Sequence, residues 1–226
     1  MSAPKAAFEW IGTGEPLILL HGWGKTKEAM RPLARLLAVK RRVGLIDLPG
    51  FGETPAPEAA WGTVEYAAWV AEHMEGPCDI LGHSLGARIA LQLAHSQPEL
   101  VRRLVLVGAA GLRTRGLKRR LRLMGARCLR TAIRTVDRGL ATRIEEDWYR
   151  PRFGSRDYNQ AGVLRPTLVR IVNEDLAPLL PHINQPALLL WGTRDPETPP
   201  SDGAADGAPA AAEPAHLARR QGPRAP

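Results

Sequence analysis

Short apolar runs alternate along this chain with longer stretches in which apolar positions recur three or four residues apart. Residues 16–20 (PLILL), 43–48 (VGLIDL), 78–81, 104–107 (LVLV) and 187–191 (ALLLW) are of the first kind. They are continuous rather than alternating, which is the pattern of strands covered on both faces, and they predict a parallel sheet. Residues 27–39 carry Met30, Leu33, Leu36 and Leu37 at helical spacing. Residues 64–74 and 85–95 also read as helices, the second with a face of small residues at Ala87, Ala90 and Ala94. Strand–helix alternation of this kind predicts an α/β fold, a doubly wound and mostly parallel sheet between two helical layers.

The alternation breaks between residues 112 and 165, where no strand pattern occurs. Leu117, Leu121, Met124, Cys128, Ala132, Val136 and Leu140 form one helical stripe with arginines on the other faces. Trp148, Tyr149, Phe153 and Tyr158 follow. The expected organisation is a core of residues 8–111 and 166–200, interrupted by a helical cap or lid at 112–165. Residues 201–226 contain 16 Ala, Gly or Pro in 26 positions and no Val, Ile, Phe, Trp or Tyr. They cannot supply a buried strand and are expected to be disordered or loosely attached.

Length and composition narrow the class. A chain of 226 residues, 44% hydrophobic and 24% charged, suits one globular domain with an insertion and excludes a disordered chain or coiled coil. No apolar run approaches the ~18 residues of a membrane span. The first ten residues lack the apolar stretch of a signal peptide. Cys78 and Cys128 have neither CxxC spacing nor a neighbouring histidine cluster, so no disulfide framework or zinc site is expected. A reduced, cytoplasmic setting follows as the simplest expectation. The net charge of +8 is local: residues 112–138 hold ten basic residues and one acid, and the remainder is about neutral. That segment lacks interleaved aromatics for base stacking, so a nucleic-acid partner is not expected.

The chemistry concentrates at Gly82-His83-Ser84-Leu85-Gly86, between a predicted strand and a predicted helix. G-x-S-x-G in that setting is the nucleophile elbow: a turn too tight for side chains at 82 and 86, with Ser84 pushed out beside a helix N-terminus. Upstream, His21-Gly22-Trp23-Gly24 follows the PLILL strand. A loop there can aim a backbone N–H over Ser84 and, with the N–H of Leu85, form an oxyanion hole.

HGWG, DLPGFG (47–52), GHSLG and WGTRDPETPP (191–200) resemble, in order and spacing, the motifs of the α/β-hydrolase superfamily. The resemblance runs from about Phe8 to Pro200 and is nearest to the capped bacterial esterase, haloperoxidase and C–C hydrolase branch. It implies a serine hydrolase that acts on carboxylic esters or related small acyl substrates through an acyl-enzyme. Neither a metal nor an organic cofactor is implied. Ser84 would be the nucleophile, with the N–H groups of Trp23 and Leu85 as the oxyanion hole. Asp195 in Gly192-Thr193-Arg194-Asp195 would be the triad acid, with Asp175 as a rival, and Asp47 would anchor a turn without a catalytic role. Serine at the elbow separates the chain from the aspartate-dependent haloalkane dehalogenases and epoxide hydrolases. A related branch, the pimeloyl-carrier-protein methyl ester esterases, is similar in its HGWG loop and DLPGFG turn, which makes an acidic carrier protein a candidate partner for the basic segment.

The resemblance also implies one more helix and strand, with a Gly-His pair supplying the base. Here the only histidine after Pro200 is His216, with no strand pattern before it. The abrupt change of composition at Ser201 reads as a frameshift or truncation, with the last helix and strand missing. The alternative expectation is therefore an impaired or inactive remnant on the same fold.

Overall fold

Along β2 (Glu15–Leu20) Leu17 and Leu19 enter one apolar cluster while Ile18 and Leu20 enter another. A strand that buries both faces reads as an unbroken apolar run, which is why PLILL was legible. The computed structural model describes residues 3–109 and 160–190. Its other strands are β1 (Phe8–Ile11), β3 (Arg41–Ile46), β4 (Cys78–His83), β5 (Val101–Val107) and β6 (Ala187–Leu190). They form one sheet in the order β1-β3-β2-β4-β5-β6. All neighbours run parallel except β1, which is antiparallel to β3. The predicted doubly wound, mostly parallel sheet is the fold observed.

The helices are α1 (Lys27–Leu37), α2 (Thr63–Ala71), α3 (Leu85–Ser96) and α4 (Arg165–Asn173). Met30 and Ala34 of α1 pack with Leu17, Leu19, Val43 and Leu45. Tyr66 and Trp69 of α2 and Ile89 and Leu93 of α3 pack with Ile18, Leu20 and Ile80 on the other face. Glu174, just after α4, accepts the Thr63 N–H at 3.1 Å and so caps α2. Arg170 reaches Glu65 at 2.6 Å, tying α4 to the same helix end.

Several sequence readings need correction. α1 buries Lys27, Met30 and Ala34, while Leu36 is 75% exposed and Leu33 lies at the surface. The inward face is set by the Lys27–Asp47 ion pair as well as by apolar residues, which the apolar pattern alone could not reveal. β3 starts at Arg41 and stops at Ile46, leaving Asp47 and Leu48 to the following turn. α2 ends at Ala71 rather than 74. β1 carried no continuous apolar signal, because it is an edge strand. Its Phe8 and Trp10 rings meet edge to face at 5.1 Å and cover Gly44, where a Cβ would come within 3.1 Å of both. The cap expected at 112–165 lies outside the described residues but for its last six, which include a short 3-10 turn at Gly162–Leu164. Asp195, His216 and the segment 201–226 lie outside them too.

Candidate active site

The strand order reverses between β2 and β4. The chain winds outward from β2 to β3, then crosses back to β4 and continues through β5 to β6. In doubly wound sheets the crevice at the carboxyl ends of the two strands flanking this reversal is the usual ligand site. His21–Gly24 follows β2 and His83–Ser84 follows β4, so both sequence motifs emerge at this crevice.

Ser84 is the one non-glycine with positive φ among the described residues, at φ 51° and ψ −106°. Backbone strain of this kind costs about 1–3 kcal/mol and persists only where surrounding contacts impose it. The contacts are visible. The Ser84 N–H donates to the Val107 carbonyl of β5 at 3.0 Å, and the Ser84 carbonyl accepts the N–H groups of Ala87 and Arg88 at 3.1 and 3.2 Å. A Cβ on Gly82 would sit 2.5 Å from the Ala87 nitrogen, and one on Gly86 would sit 2.6 Å from the Leu20 carbonyl carbon. Both glycines are therefore dictated by space. Ser84 is half-buried, and Leu85 opens α3. As the first helical residue, Leu85 has no carbonyl one turn earlier in the helix to take its N–H.

The loop after β2 lies against this elbow, since a Cβ on Gly22 would meet His83 Nδ1 at 2.8 Å. His21 is fully buried. Its Nε2 accepts the Leu48 N–H at 3.0 Å, which leaves the proton on Nδ1, donated to the Gly22 carbonyl at 2.8 Å. Burial lowers its pKa, against the opposing effect of the bond to Gly22. His21 is thus a neutral structural bridge between the two loops. Trp23 is half-buried, and its indole meets the Phe51 ring edge to face at 5.0 Å. Phe51 meets His21 in the same way at 5.5 Å. Such aromatic pairs contribute about 0.5–1.5 kcal/mol each beyond area burial.

Asp47 anchors the turn, as the sequence suggested. It accepts the N–H groups of Lys27 at 2.6 Å and Glu53 at 3.0 Å, and it pairs with the Lys27 ammonium at 3.2 Å. Burial alone would raise its pKa. The two N–H groups and the ammonium outweigh burial and hold it below the ordinary carboxylate value. The turn needs Gly52 at φ 57°, where a Cβ would strike the Asp47 carboxylate at 2.6 Å from Oδ1.

Three other histidines among the described residues sit in local packing away from this crevice. His73 Nδ1 bonds the Trp69 carbonyl at 2.7 Å. His95 and His182 face each other at 5.8 Å, His95 being near the last residue of α3, the end remote from Ser84. Asp175 is exposed and accepts the Ala177 N–H at 3.1 Å. Among the described residues no group of three or more His, Cys, Asp or Glu could hold a metal. No helix there is long and apolar enough to cross a membrane.

Two contributors escaped the sequence reading. Phe51 looked like part of a glycine turn. Arg88 lies one residue after Ala87 on α3 and is 5% exposed, donating to the carbonyls of Ile171 at 2.5 Å and Glu174 at 3.0 Å. A lone arginine among alanines and leucines (GARIALQLA) is the signal that could have found it.

The sequence profile of the Alpha/beta hydrolase family matches residues 17–223. A pimeloyl-(acyl-carrier protein) methyl ester esterase from Aeromonas hydrophila is 41% identical over 107 residues, 45% of this chain and 41% of that protein. The chain thus spans about two fifths of that relative in the match. A protein of the same name from Chromobacterium violaceum is 31% identical over 205 residues, covering 84% of this chain and 80% of its own. The crystal structure of a hydrolase from Pseudomonas aeruginosa superposes with a TM-score of 0.64 at 21% identity, covering 89% of this chain and 81% of that one, a likeness of fold alone. With the switch-point elbow, its paired glycines and the family match over most of its length, this chain belongs to the Alpha/beta hydrolase family.

Proposed function

We propose that the chain is a serine esterase. Ser84 Oγ attacks the ester carbonyl carbon, and its proton passes to a histidine base. The N–H groups of Trp23 and Leu85 hold the oxyanion of the tetrahedral intermediate. That intermediate collapses to a Ser84 acyl-ester as the base protonates the departing alcohol. Water, deprotonated by the same base, then releases the acid and restores the serine. The observation that carries the reading is Ser84 held at φ 51° at the switch point of the sheet. Strain maintained at a side chain in a ligand crevice is expected of a nucleophile and is unneeded by a plain turn.

Asp195 is assigned as the acid that orients the base. Its chain leaves the sheet at the right level, because His83 is in register with Val107, and Val107 with Leu190. β6 lies two strands from β4, roughly 10 Å away. The five residues from Leu190 to Asp195 span up to ~16 Å, a length sufficient for the proposed contact with a histidine bridging to Ser84. Five of the six histidines are in the described residues. His21, His73, His95 and His182 have the local roles given above, and His83 adjoins the nucleophile on the turn itself. His216 is the remaining histidine of the sequence and is our candidate for the base. The second reading, favoured by the absence of a strand pattern before His216, is an elbow without a working base.

The substrate class we infer is an acyl ester presented by an acidic carrier protein. Support comes from the relatives' named activity and from the ten basic residues in 112–138. Long-range attraction of this kind raises the association rate and weakens with salt. The test is methanol release from a methyl-ester acyl-carrier protein, beside hydrolysis of p-nitrophenyl butyrate. The proposal expects both activities to vanish in Ser84→Ala and His216→Ala, and the carrier reaction alone to fall steeply with salt. Turnover that survives Ser84→Ala overturns the nucleophile. Turnover that survives His216→Ala moves the base elsewhere. Equal salt dependence of the two substrates removes the carrier.

A further inference from the structure

We propose that Phe51 is a positioning residue for the oxyanion donor at Trp23, an inference that rests on the esterase reading above. The Trp23 peptide is flanked by Gly22 and Gly24, and Gly24 has φ 65° with nothing within 4 Å of a Cβ placed there. The Gly22 carbonyl, in the same peptide as the Trp23 N–H, accepts the Lys25 N–H at 3.2 Å and the His21 Nδ1 proton at 2.8 Å. Glycine on both sides leaves the adjoining torsions free to follow whatever the indole and the His21 ring rest on. A preorganised donor is what oxyanion stabilisation requires. Two of the groups that set this peptide lean on one ring: the indole rests edge to face on Phe51 at 5.0 Å with the planes 81° apart, and the His21 imidazole that holds the Gly22 carbonyl meets the same ring.

Phe51 is itself well held. The residue is 8% exposed, and its ring also meets His21 at 5.5 Å, at 82°. Its N–H donates to the Leu48 carbonyl at 2.9 Å. The turn that carries it is pinned at Asp47 by Lys27 and at the Pro49 carbonyl by the Tyr66 hydroxyl at 2.8 Å. From the other side Leu164 closes over Gly50, where a Cβ would find Leu164 Cδ2 at 2.6 Å. The DLPGFG turn is thereby a rigid post, and Phe51 is the arm by which it supports the HGWG loop. No general base or substrate contact is assigned to Phe51. Its effect is on where one N–H points, and a displacement of about 1 Å in such a group lowers rates ~10²-fold.

The experiment compares the wild type with Phe51→Leu, Phe51→Met and Phe51→Tyr by two readouts on the full chain. The first is ester hydrolysis together with the rate of Ser84 labelling by a fluorophosphonate. The second is residue-resolved amide exchange, which does not need activity. Phe51→Leu is expected to lower kcat and the labelling rate about 10–100-fold with KM little changed. It should speed exchange about tenfold at Lys25, whose N–H closes on the Gly22 carbonyl, and at Leu48, whose N–H is held by His21, while the β2 amides keep their protection. Phe51→Tyr, which keeps the ring edge, should restore both readouts, and Phe51→Met serves as the ring-free variant if Leu unfolds the chain. Unchanged exchange at Lys25 and Leu48 overturns the proposal, as does equal loosening of β2 or failure of Tyr to restore. A wild type that is neither active nor labelled would sink the esterase reading, and the exchange data would still decide the role of Phe51.

Discussion

Gly86, in the first turn of α3, stands against the end of β2 so closely that a methyl group there would lie 2.6 Å from the Leu20 carbonyl carbon. Strand and helix are packed backbone to backbone at the elbow, and the opposed glycine, Gly82, meets α3 just as tightly from the other side. Gly86→Ala is expected to destabilise the fold by about 3 kcal/mol, the upper end of overpacking costs. Chemical denaturation checks this. Gly76→Ala is a less useful control because its φ of 146° adds strain of its own, whereas Ala68→Gly on exposed α2 surface reports only helix propensity, about 1 kcal/mol.

Ser84 itself sets stability against chemistry. At φ 51° and ψ −106°, serine and alanine are both strained and glycine is not. Ser84→Gly is expected to be more stable than Ser84→Ala by about 1 kcal/mol, the strain relieved being partly offset by the greater entropy of glycine in the unfolded chain. Thermal melts of the two variants settle the sign, and both should be inactive.

Asp47 gives a pH dependence with a defined sign. Its folded-state pKa lies below that of the unfolded chain. The stability it contributes is therefore complete above the ordinary carboxylate range and is lost as pH falls through the folded value. Asp47→Asn should cost about 3 kcal/mol near neutral pH, the low end for breaking a buried pair because Glu53 still meets the Lys27 ammonium at 2.5 Å. The gap between wild type and variant should shrink as pH drops below about 4. A gap that stays constant or widens there would contradict the assignment.

The fold was legible where burial on two faces left an unbroken signature. PLILL and LVLV are read directly as inner strands, ALLLW gives a strand that lies at the edge of the described sheet with Leu188 exposed, and the spacing of glycines around Ser84 encodes the turn itself. β1 was missed because FEWI is an edge strand whose stability comes from Phe8 and Trp10 packing over Gly44, 34 or more residues away in sequence. Leu36 misled the reading of α1 because a charged residue, Lys27, occupies the inner stripe. Phe51 and Arg88 act through partners 28 and 83 residues distant, Trp23 and Ile171, and no local pattern announces such pairs.

Arg88 makes that distance testable. Its guanidinium joins the elbow helix to the carbonyls of Ile171 and Glu174 at the end of α4. Arg88→Met keeps much of the apolar stem but leaves those carbonyls without the charged donor. A loss of about 2–3 kcal/mol is expected, in line with hydrogen bonds to charged groups. Amide exchange should show α4 opening before the sheet. Uniform exchange through α4 and β4 would contradict the idea that Arg88 is the tie.

The central claim is that Ser84 is an activated nucleophile, and covalent labelling measures it most directly. The chain is incubated with a fluorophosphonate, and the adduct is located by mass spectrometry of its peptides. The account expects one adduct, on Ser84, formed in a time-dependent way and absent from Ser84→Ala while the melting transition of that variant is retained. No adduct on a folded wild-type chain, or an adduct that persists in Ser84→Ala, would contradict it.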